Sequence, residues 1–125
     1  MSLSFIERKK ILKNANYLDL RPIRNYSEEI SDDNLVTILI PRFKSQFAAK
    51  YILPKMKGKY FKLKLDEIGS AAWLMINGKS NVAEIMKDLD AKFGEKIQPV
   101  DERLIKFLTQ LYQQRLITFE EIKGV

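Results

Sequence analysis

The hydrophobic period of this chain shifts several times, and each shift marks an element. From Tyr60 to Leu65 the pattern alternates strictly: Phe61, Leu63 and Leu65 fall on one side, Tyr60, Lys62 and Lys64 on the other. A period of two predicts a half-buried strand, because successive side chains of extended backbone point to opposite faces. Leu35 to Ile40 is apolar and β-branched, which predicts a strand ended by Pro41. Arg21 to Ser27 places Ile23 among polar neighbours and predicts a weaker first strand, with Pro22 at its start or on an edge. Ser31-Asp32-Asp33-Asn34 is a turn cluster, so these two segments are expected to form a hairpin.

After Leu65 the period lengthens to that of a helix. Ile68, Ala72 and Met75 share a face flanked by Trp73 and Ile76. Asp66 is placed to cap this helix, and Asn77-Gly78 to close it, with Gly78 supplying a left-handed residue. Asn81 and Glu84 have capping-box spacing, in which each side chain satisfies the other's free backbone N–H. Val82, Ile85, Met86, Leu89 and Phe93 follow at helical spacing until Gly94. Pro99 precedes a third helix, Val100 to Arg115, and Leu116 to Phe119 ends the pattern as a short strand or wing. In the third helix Val100, Leu104, Ile105, Phe107, Leu108, Leu111 and Tyr112 span about 160° of the circumference, against about 100° for one core stripe. The surplus implies a second apolar face. Either it lines a groove or meets a partner, or the N-terminal segment covers it.

Two stretches stand apart. Residues 1–16 are polar and lysine-rich and predict a flexible or short-helical arm, with Ser4 and Glu7 spaced to cap a helix over Phe5 to Lys13. Phe43, Phe47 and Tyr51 recur every four residues before Pro54, which predicts a basic amphipathic segment inserted at 42–58. The rest, residues 17–125, reads as a single α+β domain.

Composition narrows the chemistry. The chain has no cysteine and no histidine, so disulfides, thiolates, the commonest general base and the commonest metal ligand are all missing. The adjacent pairs Asp66/Glu67, Asp101/Glu102 and Glu120/Glu121 read as helix caps and solvated faces, since neighbours on a helix diverge by about 100°. With no phosphate loop, nucleophile elbow or metal spacing, the expectation is a protein that is not an enzyme and holds no cofactor. The longest apolar run, Ala71 to Ile76, is too short to span a bilayer, and no apolar stretch follows Arg8, Lys9, Lys10 and Lys13 to make a signal peptide. A cytoplasmic protein with no membrane partner is expected. Charge is uneven: residues 1–65 hold 14 Lys/Arg against 6 Asp/Glu, while residues 66–125 hold 8 against 10. From Arg42 to Lys64 there are eight basic residues and no acid, a block that either attracts an anionic partner or keeps the surface solvated.

Leu65, Gly69, Trp73, Gly78, Asn81-Val82-Ala83-Glu84-Ile85, Leu89, Phe93-Gly94, Val100, Phe107-Leu108, Leu111 and Leu116-Ile117 occur in a recognisable order. In that order the segment Tyr60 to Ile117 resembles the family of pyrroloquinoline-quinone biosynthesis protein D. Asn77 stands at the family's aspartate position, Asn81 at its capping threonine, and Arg115 where the family often has glycine. The resemblance implies a winged-helix-like fold, with a three-stranded N-terminal antiparallel sheet followed by a three-helix bundle. It implies a non-catalytic adaptor that binds the leader of a ribosomally made precursor peptide and presents it to a radical S-adenosylmethionine enzyme or another modifying enzyme. The leader would add as a strand to Tyr60, Phe61, Lys62, Leu63 and Lys64 and lie along Leu104, Ile105, Leu108 and Tyr112. Strand addition draws affinity from an unpaired backbone edge. Lys62 and Lys64 are also the kind of charge that protects such an edge from aggregation, and that reading stays open.

The alternative is a winged-helix nucleic-acid-binding or scaffolding protein. A recognition helix needs Arg and Lys toward phosphates, whereas the third helix offers Asp101, Glu102, Arg103 and Lys106 in balance. The expectation is therefore a peptide partner rather than nucleic acid.

Overall fold

The computed structural model describes residues 17–41 and 60–123. The expected arm at 1–16 and the insert at 42–58, with its Phe43/Phe47/Tyr51 stripe, lie outside the described residues. The described elements are β1 (Pro22–Arg24), β2 (Glu28–Ile30), β3 (Val36–Pro41), β4 (Tyr60–Lys64), α1 (Glu67–Met75), α2 (Val82–Phe93), α3 (Val100–Gln113) and β5 (Ile117–Phe119). Short 3₁₀ turns cover Tyr17–Asp19 and Gly94–Ile97. The protein is thus α+β, with a three-stranded antiparallel sheet ahead of three helices. It divides into two compact units, Tyr26–Ser70 and a second made of the residues up to Asn25 and those from Ala71 on.

In the unit Tyr26–Ser70 the sheet order is β2-β3-β4, both pairs antiparallel. Val36, Ile38 and Ile40 alternate inward and are essentially fully buried, while Thr37, Leu39 and Pro41 are half-buried on the other face. The hairpin partner differs from expectation. Of Arg21–Ser27 only the last residue reaches β3, where Ser27 O accepts from Leu39 N–H at 2.9 Å; the paired strand is Glu28–Ile30, in the register Ile30↔Val36. The turn decides this. Ser31 accepts from Asn34 N–H at 2.9 Å, and Asn34 takes φ 63°, which closes the loop directly after Ile30. Asparagine tolerates that left-handed conformation better than most residues. The residues flanking the turn must then pair, glutamates or not.

In the other unit the first strand finds a distant partner. β1 pairs antiparallel with β5, in the register Pro22↔Phe119 to Arg24↔Ile117. The preceding backbone is strapped to the turn between α1 and α2: Gly78 N–H donates to Pro22 O at 2.8 Å and Val82 N–H to Leu20 O at 2.9 Å. Gly78 has φ 78°, and a Cβ there would stand 3.0 Å from Glu120 Oε1 and 3.3 Å from Ile23 Cδ1. α2 carries the full capping box, with Glu84 N–H donating to Asn81 Oδ1 at 2.8 Å and Asn81 N–H to Glu84 Oε1 at 3.0 Å. Its buried Val82, Ile85, Leu89 and Phe93 form a single stripe. α2 packs on α3, and α3 on β5. α1 begins in the sheet unit, where Gly69 N–H donates to Asp66 Oδ1 at 2.7 Å, and its last residues belong to the helical unit.

Candidate functional site

The expected site residues fall in both units. Tyr60, Phe61, Lys62, Leu63 and Lys64 form β4, while Leu104, Ile105, Leu108 and Tyr112 lie on α3.

β4 is an edge strand. It pairs with β3 from Pro41↔Tyr60 to Thr37↔Lys64, and among the described residues no strand pairs with its other side. Its backbone polarity follows from the ladder. Leu65 N–H donates to Val36 O at 2.9 Å. In an antiparallel pair hydrogen-bonded residues alternate with non-bonded ones, so Leu63 and Phe61 also turn their backbone groups to β3. Tyr60, Lys62 and Lys64 turn theirs outward. Their side chains sit on the exposed face, whereas Phe61 and Leu63 are half-buried on the other. Tyr60 is 41% exposed, a large apolar ring left in solvent at the strand's start. Lys62 Nζ stands 3.8 Å from Glu29 Oε1, with both side chains more than half exposed. Such a pair contributes little. No ion pair to Lys64 is formed by an acid among the described residues.

α3 keeps less open surface than its pattern predicts. Leu104 and Leu108 are 2% and 0% exposed, so they hold the helix in place and present no surface. Ile105 and Tyr112 are half-buried. The Tyr112 ring lies 5.4 Å from that of Phe119 on β5, and the Tyr17 ring lies 5.9 Å from Phe119 in an edge-on arrangement. Tyr17 also hydrogen-bonds Thr109 of α3. Burial raises the Tyr17 phenol above its ordinary value, and that hydrogen bond opposes the rise. The second apolar face of α3 is thus met in part by the chain itself, through Tyr17 and Phe119. The Tyr112 hydroxyl is sealed from solvent and has no hydrogen-bond partner among the described residues.

Of two positions that support the backbone around the site, Ser70 gave no signal in the sequence pattern and Arg115 was marked only through the family resemblance. Ser70 is buried, its Oγ accepting from Val36 N–H at 2.8 Å and lying 3.4 Å from Leu65 O, so it ties the first turn of α1 to the ends of β3 and β4. A serine in the run Gly-Ser-Ala-Ala-Trp looks like any small helical residue. Arg115, at the family's glycine position, has φ 63°. Leu116 N–H donates to Leu111 O at 2.9 Å and Arg115 N–H to Tyr112 O at 3.0 Å, the paired bonds of a left-handed helix stop. The backbone after α3 takes the glycine-like course with an arginine in place.

Among the described residues no cluster of three or more His, Cys, Asp or Glu is arranged to hold a metal, and no helix is long and apolar enough to cross a membrane. The family model described as "Coenzyme PQQ synthesis protein D (PqqD)" matches residues 50–117, more than half of the chain. The chain belongs to the PqqD family. Its matched segment takes in β4, all three helices and the first residue of β5. No curated protein and no solved structure gives a significant match.

Proposed function

We propose that this PqqD-family chain is a non-catalytic adaptor in the biosynthesis of a ribosomally made, modified peptide, and that it binds the precursor's leader by strand addition to β4. The observation that carries the reading is the outward backbone of Tyr60, Lys62 and Lys64 on an edge that no described strand occupies. Each added residue facing that edge exchanges two main-chain hydrogen bonds, which gives affinity independent of sequence. The absence of cysteine and histidine from the chain supports a binding role over catalysis. Under this reading the partner enzyme, a radical S-adenosylmethionine enzyme or another peptide-modifying enzyme, performs the chemistry on a substrate the adaptor holds extended.

The order of three helices followed by β5 supports the winged-helix-like description, with β1 and β5 as the wing. On α3, Ile105 and Tyr112 are half-buried and Leu104 and Leu108 are buried, so the reading rests on β4 and not on that helix. The exposed charge of α3, Asp101 and Glu102 beside Arg103 and Lys106, gives no support to a groove-reading helix.

The test is a selection from a displayed random-peptide library on the full chain, followed by amide mapping with the enriched peptides. The expected result is large shifts of the Lys62 and Lys64 amides, lost when alternate peptide bonds of the ligand are N-methylated. Enriched peptides that leave β4 amides unmoved, or a selection that enriches nothing, would refute the reading.

A further inference from the structure

The ladder geometry of β4 fixes more than an edge; it fixes which face each residue of an added strand would share. The outward-bonding residues Lys62 and Lys64 have side chains on the exposed face. The residue of an added strand that stands opposite either one puts its own side chain on that same face, whether the added strand runs parallel or antiparallel. Its neighbours in sequence then fall on the face of Phe61, Leu63 and Leu65, which is apolar and half-buried.

We propose that β4 selects an extended peptide in which acidic and apolar residues alternate, the acids opposite Lys62 and Lys64 and the apolar residues beside Phe61, Leu63 and Leu65. This rests on the strand-addition reading above and adds the class of sequence accepted. Charge complementarity favours it. Lys64 has no ion-pair partner among the described residues, Lys62 has only an exposed contact of 3.8 Å to Glu29, and Arg42 to Lys64 contains eight basic residues and no acid. The same charges count against a second copy as occupant, since β4 laid antiparallel on β4 about Lys62 would set like charges face to face.

Three synthetic nine-residue peptides test the inference: one alternating Glu with Val and Ile, an isomer of the same composition with the glutamates in one block, and an alternating version with Lys for Glu. Binding is read by fluorescence anisotropy, and the bound place by amide shifts of isotope-labelled full chain. The alternating acidic peptide is expected to bind about 10-fold tighter than either other, the sum of two cross-strand charge pairs and better apolar register. In the double variant Lys62→Glu, Lys64→Glu, whose fold is checked by unchanged β3 amides, the preference should reverse toward the lysine peptide. Equal affinity of the two acidic isomers, with β4 amides shifting for both, overturns the alternation and leaves strand addition standing. No shift of β4 amides with any of the three removes both. Self-association of the free chain through β4, seen by sedimentation, also overturns it.

Discussion

Ser70 and Arg115 show how single side chains set the backbone around the site, with opposite expected signs on substitution. Ser70 Oγ is the acceptor for Val36 N–H, 2.8 Å away. Ser70→Ala leaves that buried donor unpaired, at a cost of about 1–3 kcal/mol that exceeds the slight gain in helix propensity. A urea midpoint that falls with an unchanged slope would show this. Arg115 pays for a left-handed φ of 63°. An L-residue gives up about 1–2 kcal/mol there, and the extra entropy of an unfolded glycine returns about 0.5–1 kcal/mol. Arg115→Gly should therefore stabilise the fold by about 0.5–1 kcal/mol, raising the same midpoint. The Ser70 effect was not legible in sequence, and that of Arg115 only through the glycine the family often has there. A buried acceptor and a surface serine have one letter, and an arginine held at positive φ by its helix stop looks like an ordinary last-turn cation.

Elements were legible where local chemistry decides them. The alternation of Tyr60 to Leu65 gave β4 and its faces, Asn81 and Glu84 gave the start of α2, and Gly78 gave the stop after α1. Glu28-Glu29-Ile30 was missed as a strand because the turn Ser31–Asn34, not its own propensity, commits it to pairing. The surplus arc of α3 was legible, with cover by the N-terminal segment as one of two readings; Tyr17 meets it from ahead of β1, and Phe119 from β5 just after the helix. The alternation in β4 also yields a sharp test. Proline lacks the N–H, and Lys62 directs its N–H outward while Leu63 directs its own to β3. Lys62→Pro should leave the β3–β4 ladder intact and abolish binding of any strand-adding peptide, whereas Leu63→Pro should break the ladder and unfold the sheet. Circular dichroism separates the two variants, and anisotropy reads the loss of binding. A Lys62→Pro chain that folds and binds as before would place the docking edge elsewhere.

At the scale of the molecule, the helical unit is discontinuous in sequence, and the strap from Leu20 to Arg24 is what joins its two pieces. Arg21 fastens that strap: its backbone N–H donates to Glu121 Oε1 at 2.8 Å and its Nε to Oε2 at 2.9 Å, while Glu120 N–H donates to Arg21 O at 2.8 Å. Partial burial opposes ionisation of Glu121, but the two hydrogen bonds and the charge of Arg21 outweigh it and hold the carboxyl below its ordinary value of 4.5. The guanidinium is raised in turn, by its hydrogen bond to Glu121 and then by that residue's charge. A carboxyl depressed in the folded state contributes stability that is fully present above its unfolded value and is lost as pH falls through the folded one. The clasp should therefore be complete at neutral pH and fail progressively below 4.5. Glu121→Gln removes the charge and one acceptor. It should melt lower than the parent at pH 7, and the gap should narrow as acid protonates Glu121 in the parent too. Both side chains are substantially exposed, at 49% and 31%, so salt should narrow the gap at neutral pH as well. Thermal melts of the two chains from pH 7 to pH 3, at low and high salt, read both trends. A gap that stays constant across that range would mean Glu121 fastens the strap as a neutral acceptor alone.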